Sequence, residues 1–344
     1  MIWHPFTWTF WLAATTGTLL YAAGAIGAFD VALNWTPSSF AFDQLRRERR
    51  AEMASLLGQW SLGCLSIAAL AGVVGVAIVW HLEIPGAMCG TGVLQAMGSN
   101  GSRAMLFWGA VLIILYVWRV LDRLDANQPQ GVLSQVNARV MICAAPFLTM
   151  ALFYSFRALM RVDTAPPVSC CAVLYDKVVN DDAVSAALTQ FRPLLAWGSL
   201  LGATVLLVLS IWQLRFPEGR AVVMPAMIGI LCGVGAPVAV TQVWSAYYYQ
   251  VLSHPCPWCL FGTDYGGVGF VIFGLIAVVF VESIVLWFVD RVRRQRPLLA
   301  MAAEGRIQAA ARRIILSLIG FTVLTVGPAL WWRLHNGVWL NGAF

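Results

Sequence analysis

The sequence predicts an all-α polytopic membrane protein with about eight transmembrane helices and both termini on the outer side. Three observations lead there. Hydrophobic residues fill 60% of the 344 positions and charged residues only 11%, with a mean hydropathy of +0.76; a soluble domain carries about a quarter charged residues. Nearly uncharged stretches of roughly 20 residues, enough to cross a bilayer as a helix, recur along the chain. These stretches are apolar all round instead of alternating, which excludes a membrane β-barrel. The net charge of +6 is then a matter of topology, and no nucleic-acid partner is expected.

The eight stretches run over about 6–29, 56–80, 104–121, 139–159, 194–214, 221–245, 260–289 and 313–333. The third is the shortest, because only 15 residues separate Arg103 from Arg119. The N-terminus, MIWHPFTW, lacks the basic region of a secretory signal, so the first span is expected to be retained. No internal sequence repeat stands out.

Orientation follows from the basic residues. Sixteen of the 22 Lys and Arg residues fall in four alternate segments: 40–58, 119–139, 215–220 and 290–313. These segments are expected to be cytoplasmic, with both termini outside.

That topology sorts the cysteines. Cys64, Cys143 and Cys232 lie within spans, where a thiol packs as a small hydrophobe. Cys89, the adjacent Cys170 and Cys171, and the pair Cys256 and Cys259 all fall in outer segments. Loop cysteines confined to that side fit an oxidising compartment, where disulfides persist.

The motif SHPCPWCLFGTDY, residues 253–265, closes an uncharged run that begins at Ala221. It is expected to open the seventh helix. Pro257 suits the first turn, where its missing N–H goes unneeded. The positive end of the helix would then lower the pKa of Cys256, making it the exposed, exchanging thiolate. Cys259, one turn deeper, would face the outer leaflet. A structural disulfide is a rival reading. So is a metal site joining this pair to Cys170 and Cys171, with zinc or copper equally suited. A c-type haem is excluded, since Leu260 stands where His is required.

Around the vicinal pair, Pro166 and Pro167 stop the fourth helix and Ser169 is a candidate N-cap. The stretch CAVLYDKVV reads as a short amphipathic helix on the membrane surface, able to carry a shuttle cysteine over the CPWC pair. His254 is placed to stabilise a thiolate or relay protons. Trp244, Tyr247, Tyr248, Tyr249 and Trp258 suit an interfacial aromatic belt. Glu282 is an intramembrane carboxylate and a functional candidate by default, with no identifiable partner.

The order of helices four to seven, about 139–289, with a cysteine-bearing outer loop and then a Cys-x-x-Cys opening the last helix, resembles the vitamin K epoxide reductase family. CPWCL is a common form of that family's motif, and VSCCAVLYD resembles its loop segment. The resemblance implies a four-helix redox module over 139–290. It is preceded by a three-helix region (1–138) and followed by a basic loop and final helix (291–344). It also implies a quinone-linked thiol–disulfide oxidoreductase of the bacterial inner membrane, with its cysteine loops facing the periplasm. Electrons would pass from a periplasmic thioredoxin-like partner to the loop cysteines, then to the CPWC pair, then to quinone. On this reading Cys170 is the shuttle, Cys256 its disulfide partner and Cys259 the sulfur that meets quinone. Asp264 and Tyr265 would donate to a quinone oxygen, with Thr263 a further donor. Cys89 would bond one of the vicinal cysteines and leave the other free. The alternative is non-enzymatic: an anchor or electron-transfer subunit of a larger respiratory assembly, with structural disulfides or a Cys-bound metal.

Overall fold

The computed structural model describes residues 3–35, 42–126, 131–162, 168, 190–216, 222–250, 254 and 256–340. Among these residues all regular structure is helical, and eight helices are long and apolar enough to span a membrane. The chain divides into two compact units, Met1–Val168 and Ser169–Phe344. The boundary follows the fourth long helix. The helix expected to open a module at 139 therefore belongs with the three before it, and the last helix of the chain belongs with the second unit.

The first unit begins with α1 (Pro5–Asn34), whose start is fixed by Pro5 and by the His4 side chain accepting the Phe6 N–H. Its buried stripe of Ala14, Gly17, Tyr21, Gly24 and Ala28 recurs every three to four residues and is mostly small. Small faces let helices approach closely where lipid offers no hydrophobic drive. Ser61 of α2 (Phe42–Val74) accordingly donates to the Gly17 carbonyl at 2.8 Å. The helix α2 loosens through a π turn, Gly75–Val79, and a 3₁₀ turn, Trp80–Glu83. A short helix, α3 (Gly90–Met97), and the long α4 (Ser99–Ala126) follow. The last helix of the unit, α5 (Ser134–Met160), is tied to α1 by Tyr21 Oη donating to the Met141 carbonyl at 2.6 Å. Trp108 Nε1 to Ser155 Oγ, at 2.9 Å, ties it to α4.

The second unit comprises α6 (Arg192–Arg215), α7 (Val223–Ala239), α8 (Val268–Gln295) and α9 (Ala300–Asn336). The helix α7 continues through a π turn, Val240–Trp244, into a last helical turn, Ser245–Tyr249. Glu282 of α8 is buried and takes hydrogen-bonded ion pairs from Arg306 at 2.7 Å and Arg313 at 2.6 Å, both on α9. A carboxylate inside a bundle persists only with such compensation.

The two units repeat one order of elements, although their letters do not. In each, the second long helix ends through a π turn. A tryptophan at that point donates its indole N–H to a hydroxyl on the first helix: Trp80 to Thr7 at 3.1 Å, and Trp244 to Ser199 at 3.2 Å. A cysteine, Cys89 or Cys256, then caps a short helical segment. A 28-residue helix follows in both. Near its end stands Leu-Asp-Arg-Leu at 121–124 in one and Val-Asp-Arg-Val at 289–292 in the other.

Several helices run past their apolar spans. The third is full length, so Arg103 and Arg119 lie inside it, not at its ends. Much of the basic segment 290–313 is helical as well, with Arg306, Arg312 and Arg313 inside α9. Helix propensity continues beyond the apolar stretch because Arg, Ala, Gln and Leu are all good helix formers.

Candidate thiol site

The CPWC motif does not open the seventh span. It forms a separate 3₁₀ segment, Pro257–Phe261, followed by another, Thr263–Tyr265, and α8 begins only at Val268. Gly266 and Gly267 take consecutive left-handed conformations, φ +62° and +65°, between the turns and the helix. Only glycine adopts these cheaply. Gly269, in the first turn of α8, lies under the motif: a Cβ there would fall 2.9 Å from the backbone of Leu260 and Phe261. Phe261 is held by an edge contact with Phe270 and a stacked one with Phe273.

This geometry corrects two expectations. A five-residue 3₁₀ turn lacks the aligned peptides of a long helix, so the dipole proposed to activate Cys256 is not at hand. Cys256 is also not the exposed sulfur: it is 0% accessible, whereas Cys259 is half-buried.

What lies against a thiol instead is His254. Its Nε2 is 3.1 Å from Cys259 Sγ. Burial pushes the imidazole pKa below its ordinary value, which favours the neutral ring that can exchange a proton with sulfur. The Tyr249 ring is edge-on to His254 at 5.1 Å and to Tyr265 at 4.9 Å, linking the three aromatic groups. Tyr249 Oη donates to the Cys256 carbonyl at 2.5 Å. Gln250, in the left-handed conformation at φ +56°, ends the helix immediately after it. Burial pushes the Tyr265 phenol upward, and negative charge on Cys259 and Asp264 adds to the shift. The phenol therefore stays protonated.

The second unit thus brings together Cys256, Cys259, His254 and Tyr265. Asp264 shares the turn but points to an exposed position, as does Thr263. Cys89 is a buried N-cap of α3 in the first unit, its carbonyl accepting the Gly92 and Val93 N–H groups. Cys170 and Cys171 lie outside the described residues, and with them the surface helix and the four-thiolate metal site. Among the described residues no disulfide joins two cysteines. Of the three span cysteines expected in the core, Cys143 is exposed and Cys64 and Cys232 are half-buried. Trp244, Tyr247 and Tyr249 are interior residues, not an interfacial belt. The role of Tyr249 escaped the sequence; its one signal was a run of three tyrosines shortly before the motif.

Cys259 and Tyr265 pack on a core that includes Ala239, Trp244, Leu260, Ile276 and Phe321. Three of those residues, Ala239, Ile276 and Phe321, also wall an apolar cavity of about 330 Å³ among α6, α7, α8 and α9. Ser199 and Cys232 are its polar-atom side chains.

No family model, curated protein or solved structure matches the chain.

Proposed function

We propose that the protein is a membrane thiol–disulfide oxidoreductase in which Cys256 and Cys259 alternate between dithiol and disulfide and pass two electrons to a lipid-soluble quinone. The observation that carries this reading is the 3.1 Å approach of a half-buried imidazole to Cys259 within a Cys-x-x-Cys. A thiolate of the dithiol partner attacks Cys259 of the oxidised pair and Cys256 leaves, taking up a proton; the partner's second thiol then resolves the mixed disulfide, leaving the partner oxidised and Cys259 free. In the reduced pair His254 takes the Cys259 proton and keeps that sulfur reactive. In the reductive direction, a dithiol partner reduces the pair and becomes a disulfide. The Cys256–Cys259 dithiol then gives two electrons and two protons to quinone, forming quinol and restoring the disulfide. Tyr265, protonated and beside Cys259, is the donor toward a quinone oxygen.

The cavity among α6 to α9 suits the acceptor, since its walls are apolar and its size is of the order that holds a ring-sized ligand. The CPWCL letters, a common form of the vitamin K epoxide reductase family's motif, and the basic-residue bias support the same reading. They point to a bacterial inner membrane, with the motif facing the periplasm and a thioredoxin-like partner there.

The test is quinone reduction by full-length protein in lipid nanodiscs, with a reduced thioredoxin-like protein or a small dithiol as donor. Wild type should turn over, while Cys259→Ser and Cys256→Ser should not. Equal rates in all three would defeat the proposal.

A further inference from the structure

The first unit carries a second polar site, remote in sequence from the thiols. At one end of its bundle, α1, α2, α4 and α5 line a half-open cavity of about 50 Å³. Trp118 and Met141 line its apolar part, and Ser55, Asp122, Asp125, Ser134 and Asn137 its polar part. About 10–15 Å³ of such space holds one water molecule, so the cavity admits one small ion together with a few waters.

The charges around it do not balance. Asp122 accepts Arg119 at 3.0 Å, Ser55 at 2.8 Å and Asn137 Nδ2 at 3.2 Å. Asp125 is 9% exposed and is held by neutral donors, the Leu133 N–H at 2.7 Å and the Ser134 hydroxyl at 2.8 Å. Two carboxylates thus share one guanidinium among the described residues. In the second unit Asp290, the counterpart of Asp122, has one oxygen on Arg293 and the other on Arg294, and Arg293 stands where the first unit has Asp125.

A separate observation points into the cavity. Asn137 is 8% exposed and its Oδ1 accepts no hydrogen bond. A buried amide oxygen without a partner is costly. Carboxylate and amide oxygens together form a hard donor set of the kind that takes oxygen-seeking cations.

We propose that this cavity binds one monovalent cation, sodium, coordinated by Asp125, Asn137 Oδ1 and Asp122. A single positive charge cancels the excess carboxylate, satisfies the open amide oxygen, and joins α4 to α5.

Equilibrium binding of radioactive sodium to the full chain in detergent micelles tests this, with thermal unfolding followed in sodium chloride and in N-methylglucamine chloride at equal ionic strength. One sodium per chain should bind, and sodium should raise the unfolding temperature saturably. Asp125→Asn and Asn137→Leu should each weaken binding by at least about tenfold and lose the sodium-specific shift, while unfolding cooperatively in the sodium-free salt. No sodium binding by wild type would overturn the proposal. So would a shift retained in both variants, or a response to magnesium alone.

Discussion

His254 Nε2 and Cys259 Sγ lie 3.1 Å apart, brought together across the Pro257 turn from positions five residues apart. Because burial lowers the imidazole pKa, the ring stays neutral, and able to accept the thiol proton, at pH values below about 6.5, the ordinary histidine value. Alkylation of Cys259 should therefore persist into mildly acidic solution and fall once the imidazole protonates. His254→Asn should slow iodoacetamide labelling of Cys259 at neutral pH by about tenfold, one unit of thiol pKa, and move the profile upward. An unchanged profile would remove His254 from the chemistry.

The same depression has a stability consequence of fixed sign. The folded-state pKa of His254 is below its unfolded value, so the unfolded chain binds more protons in that interval. Stability should decline as pH falls from about 6.5 toward the depressed folded value. Thermal unfolding of wild type and His254→Asn across pH 7 to 5 should show the slope in wild type and a flatter line in the variant.

Tyr265 is protonated at any physiological pH, because burial and nearby negative charge push its phenol up. Tyr265→Phe should lower quinone reduction while leaving Cys259 alkylation unaltered, since in the proposed reaction the hydroxyl acts on the acceptor and not on sulfur. Stopped-flow measurement of each half-reaction separates the two.

Ala236 lines the apolar cavity of the second unit. Ala236→Phe should fill it and raise KM for quinone, with the dithiol step unaffected. Steady-state titration with quinone checks this, and an unchanged KM would locate the acceptor elsewhere.

Glu282 receives both Arg306 and Arg313. Glu282→Gln removes the carboxylate on which both guanidinium groups pair and should destabilise the second unit by about 3 kcal/mol. Arg313→Gln should cost much less, as that side chain is 47% exposed. Denaturant unfolding in micelles measures both.

The eight spans were legible because length and apolarity alone determine them. Their ends were not, since Arg-rich and Ala-rich segments such as 300–313 remain good helix formers outside the apolar stretch. The cysteines and His254 could be picked from the motif letters, but their relative burial could not. It depends on Gly266, Gly267 and Gly269, which detach the motif from α8 and let the helix start rise against it. The repeated order of elements was hidden for a similar reason. It resides in π turns, indole-to-hydroxyl bonds and helix lengths, which many different apolar sequences satisfy. The pairing of Glu282 needed the fold, because its partners lie 24 and 31 residues away.

The two left-handed glycines also give the motif mechanical independence. Closing a disulfide draws two sulfurs to about 2.05 Å, which pulls on whatever backbone carries them. Here that backbone is a short 3₁₀ segment set apart from the 28 residues of α8 by Gly266 and Gly267, so in the proposed redox cycle the pull of disulfide closure falls first on the turn. The proposed chemistry then sits on a turn whose geometry is separate from that of the long helix behind it.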